Sequence, residues 1–219
     1  MQLIRYTNWV ESQVNQLTPP QVMQNWGAMW KNTLSALYNP PTITAVYEHA
    51  SLVVARWEFL GALYRGTAGN TGVEDARAYA DRFLSAYRPL HNLTGACPTK
   101  RSEFFSVFRD RCLHGFTPAG VFQRLHSNGD VFGWSIGAHP AGAHRQLDVA
   151  GNVQIDSATL QEEFTRSIAD YVAYLIANND PGFPLSPQER WRKGCWGRFC
   201  PVHYDPRTWE QEGRNRGLY

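Results

Sequence analysis

Asp156-Ser-Ala-Thr-Leu160-Gln-Glu-Glu-Phe164-Thr-Arg-Ser-Ile168-Ala-Asp-Tyr171-Val172-Ala-Tyr-Leu175-Ile176-Ala-Asn178 is the stretch that decides the fold. Leu160, Phe164, Ile168, Tyr171, Val172, Leu175 and Ile176 recur at helical spacing and draw one apolar stripe along a helix. Asp156 or Ser157 stands at the N-cap, where a side-chain oxygen accepts from a free first-turn amide. Asn178-Asn-Asp-Pro-Gly182 ends the helix.

Three more helices are expected toward the N-terminus. In residues 20–38, Val22, Trp26, Met29, Trp30, Leu34 and Leu37 repeat at the same spacing. Asn39-Pro40-Pro41 stops that helix, because proline lacks a donor and restricts the residue before it. A second helix runs over residues 42–64, with Val46, Ala50, Val53, Val54, Trp57, Phe59, Leu60 and Leu63 broad enough to be buried on more than one side. A loop rich in glycine and threonine follows over 66–72. A third helix is expected over 73–87, with Glu74 and Asp75 in the first turn, where the helix dipole favours acids.

Residues 120–155 read differently. Val131-Phe-Gly-Trp134-Ser-Ile136 and residues 146–155 are β-capable, and Ala150-Gly-Asn152 suits a tight turn, so a small β-hairpin insertion is expected. From 188 to 219 the chain holds seven basic and four acidic residues among several tryptophans, and is expected to be an irregular basic tail. The overall expectation is an all-α bundle of four to five main helices over 1–180, with the tail over 181–219.

Composition bounds the function without choosing it. Of 219 residues, 43% are hydrophobic and 13% aromatic, as in a chain that folds around a core. A net charge of +2 is too small to mark a nucleic-acid binder by bulk charge. Only Lys31, Lys100 and Lys193 of the 21 basic residues are lysines, and arginine suits forked contacts to phosphate. The longest apolar run, 171–177, is far short of the ~20 residues that cross a bilayer. No charged head followed by an apolar run opens the sequence, so a cytoplasmic location with reduced thiols and no membrane contact is expected.

One segment carries chemistry: Phe104-Phe-Ser-Val-Phe108-Arg109-Asp110-Arg111-Cys112-Leu-His114-Gly115. It reads as a short apolar helix with Ser102 as N-cap and Gly115 and Pro118 as stops. Positions five apart on a helix differ by about 140°, so Arg109 and His114 do not share a face. Asp110 and His114, four apart, do meet, and Asp110 can fix the imidazole tautomer. Arg109 then completes a site only across a cleft or against a second copy of the same helix. Attack of an RNA 2′-hydroxyl on its adjacent phosphate needs a base, an acid and a cation, which one histidine and one arginine can supply without a metal.

This Arg-Asp-x-x-x-His segment with its apolar lead-in resembles the signature of the HEPN superfamily of small helical ribonucleases. The resemblance implies a four- or five-helix bundle that dimerises and cuts RNA without metal or other cofactor, at a site shared by two subunits. It implies that Arg109 holds the scissile phosphate, His114 transfers the proton and Asp110 orients His114; Arg111, which the resemblance does not cover, is a further candidate contact to the substrate backbone. RNA, a second copy of the chain and a cognate antitoxin or regulator are the partners it implies, in a toxin or phage-defence setting. The resemblance follows helix order over about 20–180, but in sequence detail only this segment. The alternatives are a non-catalytic member of the same fold that binds a nucleotide or protein, and a purely structural helical protein.

Other groups stand beside it as candidates. Cys195, Cys200 and His203, with Cys97 or His91, offer zinc ligands, against an aromatic tail packed on the bundle. His126, His139 and His144 lie around the expected hairpin as surface histidines or a weak metal site, and His144 would meet Asp148 only if that stretch were helical. Trp191, Trp196 and Trp209 among arginines suit base stacking or simple cover for apolar surface.

Overall fold

The structure is a computed structural model, and it describes residues 16–36, 43–67, 72–84, 124–125, 131–132, 134–144, 146, 148–150 and 152–199. Among them are five helices and four short strands: α1 (Pro19–Ala36), α2 (Ile43–Arg65), α3 (Val73–Phe83), β1 (Arg124–Leu125), β2 (Val131–Phe132), β3 (Trp134–Gly137), β4 (Val153–Asp156), α4 (Ser157–Ala177) and α5 (Pro187–Phe199). The fold is mostly helical, in keeping with the all-α expectation.

α2 is the central element, packed by α3, α4 and α5. Ala50, Val53, Val54, Trp57, Leu60, Ala62 and Leu63 are all buried along it, so the broad apolar content of its sequence does cover more than one side. It ends where Gly66 takes a φ of +71°, which lets the Thr67 amide reach back to the Ala62 carbonyl at 2.8 Å. At Gly61 the α3 backbone comes so close that a β-carbon would lie 1.8 Å from the Asp75 carbonyl oxygen. Asp75, the first-turn acid of α3, also ties down the connection: its carboxylate accepts from the Gly72 amide at 3.1 Å and the Thr67 hydroxyl at 3.0 Å, and pairs with Arg65 at 3.3 Å.

α1 packs on α4. Pro19 occupies its first position, where a missing N–H costs nothing, and Gln21 Oε1 accepts from the Thr18 amide at 2.9 Å. α4 has the stripe its sequence foretells, with Leu160, Phe164, Ile168, Tyr171, Val172 and Leu175 buried. Ile176 departs from it and is 63% exposed. It lies about 100° round the helix from the centre of the stripe, beyond the edge that Val172 marks. Asp156 is the N-cap, accepting from the Thr159 amide at 2.8 Å, and Asn178 closes the helix in the left-handed region with φ of 47°.

Two expectations need correction. The β-capable segments do not join as one hairpin. β2 pairs antiparallel with β1, whereas β3 runs parallel to β4, with Trp134 opposite Val153 and Ile136 opposite Ile155. A parallel pair needs a connection of about a dozen residues or more, and 138–152 provides it. The tight turn does form, held by Asp148, whose carboxylate accepts from the amides of Ala150 at 2.9 Å and Asn152 at 2.8 Å. It folds 146–154 on itself, with the Gln154 amide on the Gln146 carbonyl at 2.9 Å, and does not link the paired strands.

The tail is not irregular over its first part. Pro187–Phe199 is a helix that packs on α2, with Arg190, Trp191 and Cys195 buried. Gly194 allows the approach, since a β-carbon there would sit 3.0 Å from the Leu63 Cα. Trp191 lies 5.8 Å from Trp26 in an aromatic group that also includes Trp30 and Phe59, so of its two readings the structure supports cover for the core over a stacking platform.

Candidate functional site

Arg109, Asp110, Arg111 and His114 lie outside the described residues, in the part of the chain between α3 and β1. Cys97, Cys112, Cys200, His91, His126, His203 and Trp209 also lie outside them. Cys195 is described, on the buried side of α5. Among the described residues no group of three His, Cys, Asp or Glu side chains converges to hold a metal ion. None of the described helices is long and apolar enough to cross a membrane.

The described residues do gather polar groups in three places. The first is the junction of β4 and α4. The His144 ring accepts the Asp156 main-chain N–H on Nδ1 at 2.9 Å, and its Nε2 lies 3.6 Å from Glu163 Oε2. Asp156 accepts in turn from the His139 amide at 3.0 Å and from the Thr159 hydroxyl at 2.6 Å. Burial works against charge on Asp156, but the bonds from Thr159 and His139 outweigh it and hold the carboxyl below its usual range. The His139 ring rests on Ser135, 3.2 Å from its carbonyl oxygen and 3.3 Å from its hydroxyl. The stretch is not helical, and Asp148 is engaged in the turn and not with His144.

This geometry limits the chemistry. A main-chain amide can only donate, so Nδ1 of His144 offers a lone pair and the neutral ring carries its proton on Nε2. In this state neither nitrogen is free to take a metal or to act as a base. The cluster holds structure together.

The second place is a groove of about 600 Å³ between α1 and α4, lined among others by Lys31, Ser35, Gln161, Glu162, Thr165 and Arg166. Gln161 Nε2 donates to Ser35 Oγ at 2.7 Å and bridges the two helices. Beside it, burial lowers the pKa of His49 to about 4, against the opposing hydrogen bond to Gln161.

The third is a clasp around Arg190. Its guanidinium donates to the Tyr64 carbonyl at 2.6 Å and to Asp180 at 2.9 Å, bonds the Tyr174 hydroxyl, and lies 3.7 Å from the centre of the Phe183 ring. Tyr174 also donates to Asp180. The clasp joins α5 to α2 and α4 and leaves the guanidinium no face for phosphate.

Sequence reasoning missed both the His144–Glu163 contact and the burial of Arg190. The histidine pair spans the β4–α4 junction, and no local spacing announces it. For α5 a signal did exist: Ser186-Pro187-Gln188-Glu189 is a capping box with proline at the first helical position. The Ser186 amide donates to Glu189 Oε2 at 2.8 Å, as such a box requires. Compared with known proteins, the chain matches no family profile, no curated protein and no solved structure.

Proposed function

We propose that this protein is a metal-independent RNA endonuclease of HEPN type that works as a homodimer in a toxin or phage-defence role. The observation that carries the reading is the sequence Arg109-Asp110-x-x-x-His114, led by Phe104, Phe105 and Phe108 and followed by Gly115. A mostly helical fold around one core supports it at the level of fold class. His114 takes the proton of the ribose 2′-hydroxyl as the oxygen attacks phosphorus, and a proton returns to the departing 5′-oxygen. Arg109 holds the phosphate and stabilises its growing negative charge, and Asp110 orients His114. The products are a 2′,3′-cyclic phosphate and a 5′-hydroxyl. The test is cleavage of mixed RNA in EDTA by the wild type, Arg109→Ala and His114→Ala. Cyclic phosphate ends that appear only with the wild type are expected, and cleavage by either variant at the wild-type rate contradicts the reading.

A second reading is a non-catalytic binding module of the same fold. The α1–α4 groove favours it, since its volume suits a nucleotide-sized ligand and Lys31 and Arg166 bring two cations to its walls. Binding of a nucleotide that Lys31→Ala weakens, with no cleavage of any RNA, would put this reading first.

A further inference from the structure

The groove between α1 and α4 does not end where its polar lining does. A second hollow of about 300 Å³ adjoins the one of about 600 Å³, and Lys31, Thr165 and Ala169 line both, so the two form one trough. The helices run antiparallel beside it, since Ser35 bonds Gln161 at one end and Gly27 meets Ile168 further along. On α1 the trough reaches from Ser35 back to Gln24, roughly 16 Å at the helical rise.

Its two ends differ in chemistry. Past Ala169 the walls are aliphatic, made by Gly27, Ala28, Ile168 and Val172. Gly27 lets the helices close there, as a β-carbon on it would lie 2.8 Å from Ile168 Cγ2. No aromatic ring lines either hollow, so a nucleobase finds nothing to stack on. The other end carries Lys31 and Arg166, both exposed. Neither is ion-paired among the described residues, though Glu162 and Asp170 stand one turn either side of Arg166, and α1 has no acidic residue at all. Ser35 Oγ accepts from Gln161 Nε2 at 2.7 Å, which leaves its own hydrogen to donate outward. Two cations and a hydroxyl donor suit an anion, and Glu162 on the same rim disfavours a second negative charge.

We propose that this trough binds an aliphatic carboxylate, its head between Lys31 and Arg166 and its chain along Gly27, Ala28 and Val172. Charge-assisted bonds hold the head, and methylenes leaving water hold the chain. The proposal rests on the second reading's use of the groove as a ligand site, and not on RNA cleavage.

Titration of the full chain with decanoate, followed by amide NMR, tests it. Shifts are expected at Gly27, Lys31 and Ala169, with binding at least about tenfold tighter than that of decanol, which lacks the charge, or acetate, which lacks the chain. Lys31→Ala combined with Arg166→Ala should weaken decanoate by about tenfold or more and leave decanol unchanged. Ala169→Phe, at an exposed position, should weaken both by filling the trough. Decanol that binds as tightly as decanoate overturns the proposal, as do shifts confined to other parts of the chain. Adenosine monophosphate separates this proposal from the reading beneath it. If the nucleotide binds in the trough through Lys31 and decanoate does not, the aliphatic ligand is wrong and the ligand site stands; if neither binds, both fall.

Discussion

Arg190 shows how far one residue's role can depart from its composition class. In the sequence it is one of seven basic residues in a polar stretch, yet its side chain is 2% exposed and ion-paired to Asp180, 14% exposed. Removing one partner of a buried pair strands the other, which costs about 3 to 5 kcal/mol. Arg190→Met should lower stability by that amount in urea unfolding, with the helices otherwise intact. Burial disfavours the charge on Asp180, but bonds from Tyr174, Gly182 and Arg190 outweigh it and hold its pKa below the usual value. Its stabilisation is therefore present above the unfolded pKa of about 3.9 and lost as pH falls through the lower folded value. Asp180→Asn should flatten that acid limb. His49 acts in a higher window. Burial lowers its pKa to about 4, so as pH falls from about 6.5 the unfolded chain takes up the proton first. Stability should decline by roughly 3 kcal/mol between pH 7 and pH 4 in the wild type and by much less in His49→Gln, measured by urea midpoints.

At the scale of elements, α1, α2 and α4 were legible because their apolar residues recur at helical spacing and each stops near a proline, a glycine or an asparagine. The bounds 20–38, 42–64 and 157–178 differ from those of α1, α2 and α4 by no more than two residues at either end, while α3, expected over 73–87, is described to Phe83 with Leu84 as its C-cap. α5 was not legible from periodicity, since arginine, lysine and glycine interrupt its apolar pattern. Its buried face is made by a tryptophan, a cysteine and the stem of an arginine. Its capping box was readable. The parallel pairing of β3 with β4 was not, because the partner of a strand is chosen by the chain between, not by either strand's own pattern. Gly61 is a third case: nothing in the sequence says which side of α2 meets a neighbouring backbone. Gly61→Ala must push α3 away, and should cost about 3 kcal/mol or more, seen as loss of the cooperative thermal transition at its normal temperature.

For the whole molecule, the candidate catalytic residues were legible as a spacing and nothing more. Arg109 and His114 are five apart, so on one helix they would diverge, and the proposed nuclease would draw one residue of its site from each of two subunits. The purified chain should therefore sediment as a dimer. The division of labour can be read directly by mixing two dead proteins. In a heterodimer of Arg109→Ala and His114→Ala, one composite site lacks both groups and the other keeps both. Each variant alone should leave RNA intact in EDTA. Co-refolded in equal amounts they should recover about a quarter of wild-type cleavage, since half the dimers carry one of two sites. A mixture that stays as inactive as its components, or a single variant that cuts RNA as the wild type does, would contradict the account.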